Sequence, residues 1–270
     1  MILNLVFVIY FHMDVAGVAL ATVISQCISA ALVIRCLMKE TGPLRLDLKK
    51  LKIHGMKLKQ IMQVGIPAGI QGMLFSLANV TVQSSINSFD DTVLVAGSSA
   101  SSSVENFVYA NVNAFYQANT AFTSQNFGAG DIGRCKRIFR LCLLFGIVFT
   151  EILSAVFMVW DDFFVSIYTS SSAVAVFAVS RMRHVCSLEG LTATYEVESA
   201  SLRGMGRSLE PAVFTILGTV VFRLIWMATV FRLFPTYEML MNVYPASWIF
   251  TGAALLIVYV RQMRRTARSM

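Results

Sequence analysis

Residues 138–160, IFRLCLLFGIVFTEILSAVFMVW, carry only two charged side chains among 23 positions. A helix needs about 20 mostly apolar residues to cross the hydrocarbon core of a bilayer, so this segment is long enough to span a membrane. Six other segments are comparably long and apolar, at residues 15–38, 61–88, 104–127, 174–202, 211–234 and 243–260. The sequence therefore predicts an all-α integral membrane protein, a polytopic helical bundle with seven spanning helices.

The overall composition also favours a membrane protein. Apolar residues make up 56% of the chain, charged residues make up 14%, and the mean hydropathy is +0.67. A soluble monomer of this composition would have to expose apolar patches too large for a stable surface. A soluble fold is therefore excluded.

The positive charges are distributed unevenly between the predicted connections. Of the 22 Lys and Arg residues, 17 lie in four segments, at residues 39–59, 134–140, 203–207 and 261–268. The intervening connections contain no Lys or Arg and hold His12, Asp14, Asp90, Asp91, Asp161, Asp162 and Glu238. The positive-inside rule predicts that the basic connections and the C-terminus are cytoplasmic. We expect the membrane to be the cell (plasma) membrane. Because topology accounts for the net charge of +7, we expect no nucleic-acid partner.

No pattern of metal ligands is visible. The five cysteines show no CxxC spacing, and the three histidines are isolated from other ligand types. We therefore expect no metal site and no cofactor.

Four segments are predicted from these features. Residues 1–38 contain a helix that is cut short and one full spanning helix, and residues 39–60 form a basic cytoplasmic linker whose lysines would contact membrane lipids. Residues 61–260 form a compact lobe of six helices. Residues 261–270 form a basic cytoplasmic tail.

Polar residues recur at helical spacing within three of the predicted spans. Polar side chains in a spanning helix are costly unless they face other helices or water. One explanation is that they join helices by hydrogen bonds. The other is that they line an aqueous cavity, which we favour because joining helices does not require the carboxylates that the span at residues 174–202 carries. The candidate cavity-lining residues are Asn79, Gln83, Asn113, Tyr116, Gln117, Thr120 and Arg223.

Two carboxylates are the candidates for binding a proton or a monovalent cation. Glu196 lies about two turns before Arg203, and Glu189 lies two turns earlier on the same helix face. Either carboxylate could take up a proton or hold a monovalent cation. Arg223, in the middle of its span, is a candidate counter-charge for one of them. Glu105, Glu151 and Glu198 are competitors for the same role, and a structural ion pair is the alternative for Glu151.

Several stretches resemble the multidrug and toxic compound extrusion (MATE) family. They are GVALATVISQ (17–26), VGIPAGIQ (64–71), NAFYQANTAFTSQNFGAG (113–130), YEVESASLRGMGRSLEP (195–211) and FRLIWMATVFRLFPTYEMLMNVYPASWIFT (222–251). They are similar to the sixth, seventh, eighth, tenth and eleventh-to-twelfth helices of that family. Gln125, Asn126 and Arg203 match motif residues, and Glu196 matches an acidic position of many bacterial members. An acid that certain members carry in the seventh helix has no counterpart here.

The resemblance implies two lobes of six helices that export cationic or amphipathic compounds in exchange for protons or sodium ions. This chain would comprise the C-terminal lobe and the last two helices of the N-terminal lobe, and would need the missing lobe to transport. A lipid or lipid-linked oligosaccharide flippase of similar architecture and a non-functional fragment are the alternatives. An enzyme is not expected, because no nucleophile–base pair is apparent.

Overall fold

The computed structural model describes residues 2–42 and 45–269, which contain helices and short connections without a β-strand. The predicted all-α class is therefore confirmed. The α-helices are α1 (Ile2–Leu5), α2 (Asp14–Lys39), α3 (Gly55–Asn87), α4 (Thr92–Gly128), α5 (Ile132–Val159), α6 (Asp161–Ser166), α7 (Ser172–Val185), α8 (Gly190–Gly204), α9 (Leu209–Thr215), α10 (Phe222–Ala228), α11 (Val230–Leu233), α12 (Tyr237–Met241) and α13 (Val243–Ser269).

Four shorter segments have other helical geometry. The chain forms π-helical turns at Val6–Tyr10 and Ile216–Val221, and 3-10 turns at Leu48–Lys50 and Cys186–Leu188. The last of these separates α7 from α8, so the segment predicted as one span at residues 174–202 is a broken helix.

The chain divides into two compact units, Met1–Leu58 and Lys59–Met270. The first unit contains α1 and α2, and the second contains most of α3 and all helices from α4 onward. Helix α3 begins at Gly55, within the segment predicted as linker, and continues through Pro67 without interruption. The predicted division into four segments stays a prediction.

Five helical segments of the described residues are long and apolar enough to cross a membrane. They are Val15–Lys39, Gly55–Asn87, Ile132–Val159, Leu209–Leu233 and Tyr237–Thr266. The other two predicted spans correspond to α4, whose first third is rich in serine, and to the broken pair α7 and α8. Both regions are helical, but neither combines the length and the apolar composition of these five segments.

Helix α4 begins twelve residues before its predicted start at residue 104. The Asp91 side chain caps its N-terminus by accepting hydrogen bonds from the amides of Val93 and Leu94 at 2.8 and 3.3 Å. Gly97 and Ser98 in the added turns are buried, because α7 packs closely against this part of α4. Interhelical packing therefore extends a helix that hydropathy alone does not reveal.

Helix α8 is central to the second unit. It packs against α4, α5 and α13, and ten of its 15 residues are buried. Because α4 also packs against α5 and α7, the polar positions of α4 and α8 are brought close together. This arrangement positions the candidate site.

Candidate functional site

Two polar cavities lie within the second unit. The large cavity has a volume of about 460 Å³ and is lined by Phe75, Asn79, Gln83, Ser102, Glu105, Asn106, Tyr109, Arg181, Val185, Glu189, Thr192, Tyr195, Arg223, Tyr244 and Trp248. The small cavity has a volume of about 230 Å³ and is lined by Ala68, Gln71, Gly72, Phe75, Tyr109, Asn113, Tyr116, Tyr195, Glu196, Arg203 and Thr215. Phe75, Tyr109 and Tyr195 line both, so three aromatic rings lie where the cavities adjoin.

A buried ion pair crosses the wall of the large cavity from α4 to α7. Arg181 donates from Nε to Glu105 Oε1 at 2.7 Å and from Nη2 to Glu105 Oε2 at 2.8 Å. Its Nη1 donates to Ser98 Oγ at 2.7 Å. Two parallel hydrogen bonds of this kind fix both side chains in one geometry. Glu105 and Arg181 therefore neutralise each other.

Glu189 is the second carboxylate of the large cavity. Its side chain lies at the break between α7 and α8, and the residue is only 4% exposed. Its Oε2 atom accepts no hydrogen bond from any of the described residues, and the described residues give it no ion pair. A buried carboxylate oxygen without a partner is costly, and a ligand cation or a proton would remove that cost.

Arg223 brings a second guanidinium to the large cavity. It donates from Nη1 to Asn79 Oδ1 at 2.8 Å and from Nε to Ser247 Oγ at 3.3 Å. Its guanidinium carbon lies 4.7 Å from the ring centroid of Tyr244 and 5.3 Å from that of Phe75. Arg223 shares the cavity with the carboxylates, but its direct partners are an amide, a hydroxyl and two aromatic rings. The lining thus combines two carboxylates with two guanidiniums.

Glu196 is the carboxylate of the small cavity. Tyr109 donates from its hydroxyl to Glu196 Oε1 at 3.0 Å. Arg203 lines the same cavity, but it donates to the hydroxyl of Tyr116 at 2.7 Å and to the side-chain carbonyl of Gln71. Glu196 therefore accepts a hydrogen bond from a neutral phenol. The guanidinium of Arg203 in the same cavity is bound to Tyr116 and Gln71 instead.

The structure brings together some of the predicted residues and not others. Asn79, Gln83, Glu189 and Arg223 line the large cavity, and Asn113, Tyr116, Glu196 and Arg203 line the small one. The remaining candidates are absent from both linings: Gln117 is exposed and donates to Asn113, Thr120 donates to the Tyr116 carbonyl, Gln125 is exposed, and Asn126 donates to the Phe122 carbonyl. These four positions lie further along α4 or point away from the cavities.

Two of the competing carboxylates, Glu151 and Glu198, lie outside both cavities. Glu151 accepts a hydrogen bond from the backbone amide of Gly190 at 2.8 Å, so it caps the first turn of α8 from α5. A Cβ atom at residue 190 would collide with this carboxylate, which explains the glycine. Glu198 is buried outside both cavities, and its Oε2 has no partner among the described residues.

The Glu105–Arg181 pair was not found by sequence reasoning. Arg181 falls within the predicted span 174–202, where an arginine without a carboxylate neighbour on the same helix is a sign of an interhelical partner. That signal indicates an ion pair but does not name the partner. Among the described residues, no three His, Cys, Asp or Glu side chains form a cluster suited to a metal ion.

Comparisons with known proteins agree with this architecture. The sequence profile of the MatE family matches residues 67–257. The multidrug export protein MepA of Staphylococcus aureus (strain NCTC 8325 / PS 47) is 22% identical over 267 residues, which cover 98% of this chain and 58% of MepA. The probable multidrug resistance protein YoeA of Bacillus subtilis (strain 168) is 24% identical over 207 residues, or 76% of this chain and 44% of YoeA.

Solved structures show the same fold. A multidrug resistance MATE family transporter in an outward-facing conformation superposes with a TM-score of 0.83 at 18% identity, covering 99% of this chain and 59% of that chain. The Vibrio cholerae MATE transporter VcmN in its bent form gives a TM-score of 0.79 at 19% identity, covering 98% and 60%. The chain spans about 60% of these proteins and of MepA. Since the family profile covers more than two thirds of its length, the chain belongs to the MatE family of multi-pass membrane proteins.

Proposed function

We propose that this chain is part of a secondary active transporter that exports cationic or amphipathic compounds in exchange for protons or sodium ions. The observation that carries the proposal is the presence of two carboxylates, Glu189 and Glu196, in adjoining cavities without ion-pair partners among the described residues. Carboxylates that no cation neutralises are able to exchange a proton or a monovalent ion for a substrate cation.

The walls of the cavities suit amphipathic cations. Phe75, Tyr195 and Trp248 supply aromatic surface in the large cavity, and a ligand cation over such a ring is attracted by its quadrupole. Asn79 and Gln83 supply hydrogen-bonding groups that orient a ligand. MepA and YoeA, which this chain resembles, are described as multidrug proteins.

Coupling follows from competition. A coupling ion bound at Glu196 or Glu189 lowers the affinity for a substrate cation at the same carboxylate. A bound substrate cation lowers the affinity for the coupling ion in the same way. Rocking of two lobes then exposes the cavities to each side of the membrane in turn. The chain spans 58% of MepA, so we propose that the remaining lobe is required. We also propose a plasma-membrane location, and the distribution of basic residues supports a cytoplasmic C-terminus.

The flippase alternative has less support. A flippase for phosphorylated lipids favours a cavity with several arginines that are free to bind phosphate. The large cavity holds two arginines, but Arg181 is fully engaged by Glu105 and Ser98. Only Arg223 remains, and it shares the cavity with Glu189.

The test is export of ethidium by the complete gene product, measured as uptake of ethidium into everted membrane vesicles under an imposed proton or sodium gradient. We expect Glu196→Gln to lower gradient-driven efflux by about tenfold or more, because the ion-exchanging group is removed. Glu238→Gln is the matched control, since the same chemical change is made at an exposed residue outside both cavities. Unchanged gradient-driven efflux in Glu196→Gln would show that this carboxylate is not part of the mechanism. Absence of ethidium transport by the wild type would contradict the proposed function.

A further inference from the structure

We propose that a basic cleft between the start of α5 and the end of α13 binds the head group of an anionic phospholipid. This basic cleft has a volume of about 480 Å³ and is lined by Lys136, Phe139, Arg140, Tyr259, Val260, Met263 and Arg264. It shares no residue with the large or the small cavity, so the inference is independent of the proposed transport activity.

The rim of the basic cleft carries three cations from two helices. Lys136, Arg140 and Arg264 are exposed, and none of them forms an ion pair or a hydrogen bond with any of the described residues. The neighbouring Arg134, in contrast, lies 3.6 Å from Asp131. Three unpaired cations around one concave site attract a group of concentrated negative charge, and a phosphate is such a group.

The floor of the basic cleft is apolar. The rings of Phe139 and Tyr259 stack with centroids 4.0 Å apart and join α5 to α13. Both residues and Met263 are buried, whereas Val260 remains exposed. The Tyr259 hydroxyl is buried without a hydrogen-bond partner among the described residues, so it has a donor to offer a ligand. A ligand that fits must therefore combine an anionic group with an apolar part.

The position of the basic cleft selects a lipid over a free anion. Lys136 lies one turn inside Ile132–Val159, and Arg264 lies near the end of Tyr237–Thr266, and both segments are candidate membrane spans. The site is thus at the level where a span ends, where phospholipid head groups and the first carbons of their acyl chains are available. Basic pockets between spanning helices at this level bind anionic head groups. Inorganic phosphate alone would leave the apolar floor uncovered.

The experiment compares lipid binding by wild-type and variant protein in detergent micelles, measured by native mass spectrometry with dioleoyl phosphatidylglycerol and dioleoyl phosphatidylcholine as probes. We expect the wild type to prefer phosphatidylglycerol. The triple variant Lys136→Gln/Arg140→Gln/Arg264→Gln should lose about 100-fold in affinity for it, because each cation contributes separately. The single variant Arg264→Gln should lose about fivefold and serves if the triple variant does not fold.

The matched control is Arg137→Gln/Arg261→Gln/Arg265→Gln, which removes three exposed charges from the same two helices outside the basic cleft. It should bind phosphatidylglycerol within about twofold of the wild type. Equal losses in both triple variants would overturn the proposal, since they would show only general attraction between a basic protein and an anionic lipid. Equal binding of the two lipids, or displacement of phosphatidylglycerol by inorganic phosphate, would also overturn it.

Discussion

The large and small cavities adjoin, yet they hold their charges in different ways. In the large cavity, Glu105 and Arg181 are joined by two short hydrogen bonds, and their side chains are only 13% and 5% exposed. In the small cavity, Glu196 is bound by one phenol, and Arg203 is bound by a phenol and an amide. A bidentate pair resists change, whereas single hydrogen bonds to neutral groups exchange readily for ions. The Glu105–Arg181 pair therefore gives the large cavity a fixed electrostatic frame, whereas Glu189 in that cavity and Glu196 in the small cavity have no cation bound to them among the described residues.

The largest expected effect is that of Arg181→Gln, which leaves Glu105 buried without its cation. We expect the free energy of unfolding to fall by about 3–5 kcal/mol, because an uncompensated buried charge is costly. Denaturant unfolding of the protein in detergent micelles measures the change. The exposed pair between Arg183 and Asp161, at 3.3 Å with the Arg183 side chain 69% exposed, provides the control. Arg183→Gln should cost about 1 kcal/mol or less.

The double variant Glu105→Gln/Arg181→Gln sharpens this result. Because neither residue then carries a charge, we expect it to be more stable than Arg181→Gln alone. If Arg181→Gln and Arg183→Gln have equal effects, the large cavity does not have a fixed electrostatic frame.

The next effect is that of Gly97→Ala, which tests whether α4 and α7 are held closely at the same end as the ion pair. A Cβ atom on Gly97 would lie 2.7 Å from Phe177 Cβ and 2.7 Å from the Val174 carbonyl oxygen. We expect a loss of about 1–3 kcal/mol from overpacking. Gly69→Ala in α3 is the control, since a Cβ there meets nothing within 4 Å and should be neutral or stabilising. Thermal unfolding of both variants distinguishes these outcomes.

A smaller effect concerns the hydrogen bond of the small cavity. A double-mutant cycle of Tyr109→Phe and Glu196→Gln should give a coupling energy of about 1 kcal/mol, the difference between a hydrogen bond to a carboxylate and one to the neutral amide that replaces it. The parallel cycle of Tyr116→Phe and Glu196→Gln should give a coupling energy near zero, because the Tyr116 hydroxyl accepts from Arg203 instead. Equal coupling in the two cycles would contradict the assignment of Tyr109 as the partner of Glu196.

The smallest effect is expected for Arg203→Lys. Lysine retains the charge but loses the planar fork that contacts Tyr116 and Gln71 together, so we expect a loss of about 0.5–1 kcal/mol. Arg207→Lys is the reference, because Arg207 forms a partly exposed pair with Glu210 and should change by less than about 0.5 kcal/mol. A loss at Arg203 as large as that of Arg181→Gln would show that both cavities are rigidly held.

Hydropathy and helical spacing predicted the parts of the structure that depend on one helix at a time. The apolar segment 138–160 corresponds to α5, which begins six residues earlier because Asp131 accepts a hydrogen bond from the Arg134 amide and caps the helix. The polar positions of α3, α4 and α8 were expected to face an aqueous space, and Asn79, Asn113 and Glu196 do line cavities.

The features that depend on two helices could not be predicted in the same way. The partner of Arg181 is set by how α7 lies against α4, and the spacing of residues along α7 contains no such information. The 3-10 turn at Cys186–Leu188 changes the rotation of α8 relative to α7, so a single periodicity over residues 174–202 is not valid. Spacing along α4 also predicts Gln117 and Thr120 as cavity-lining residues, but they lie beyond the part of the helix that the cavities reach.

The π-helical turn at Ile216–Val221 precedes Arg223 by two residues and gives its span one residue more than a regular α-helix would need. Deleting one residue within this turn would restore a regular α-helix and leave the later side chains on their present faces. Arg223 would keep its direction toward Asn79 and Ser247, whereas the same deletion in a regular α-helix would rotate every later side chain by about 100°. The π-helical turn is thus the place where this span accepts a change of one residue in length without moving the guanidinium out of the large cavity.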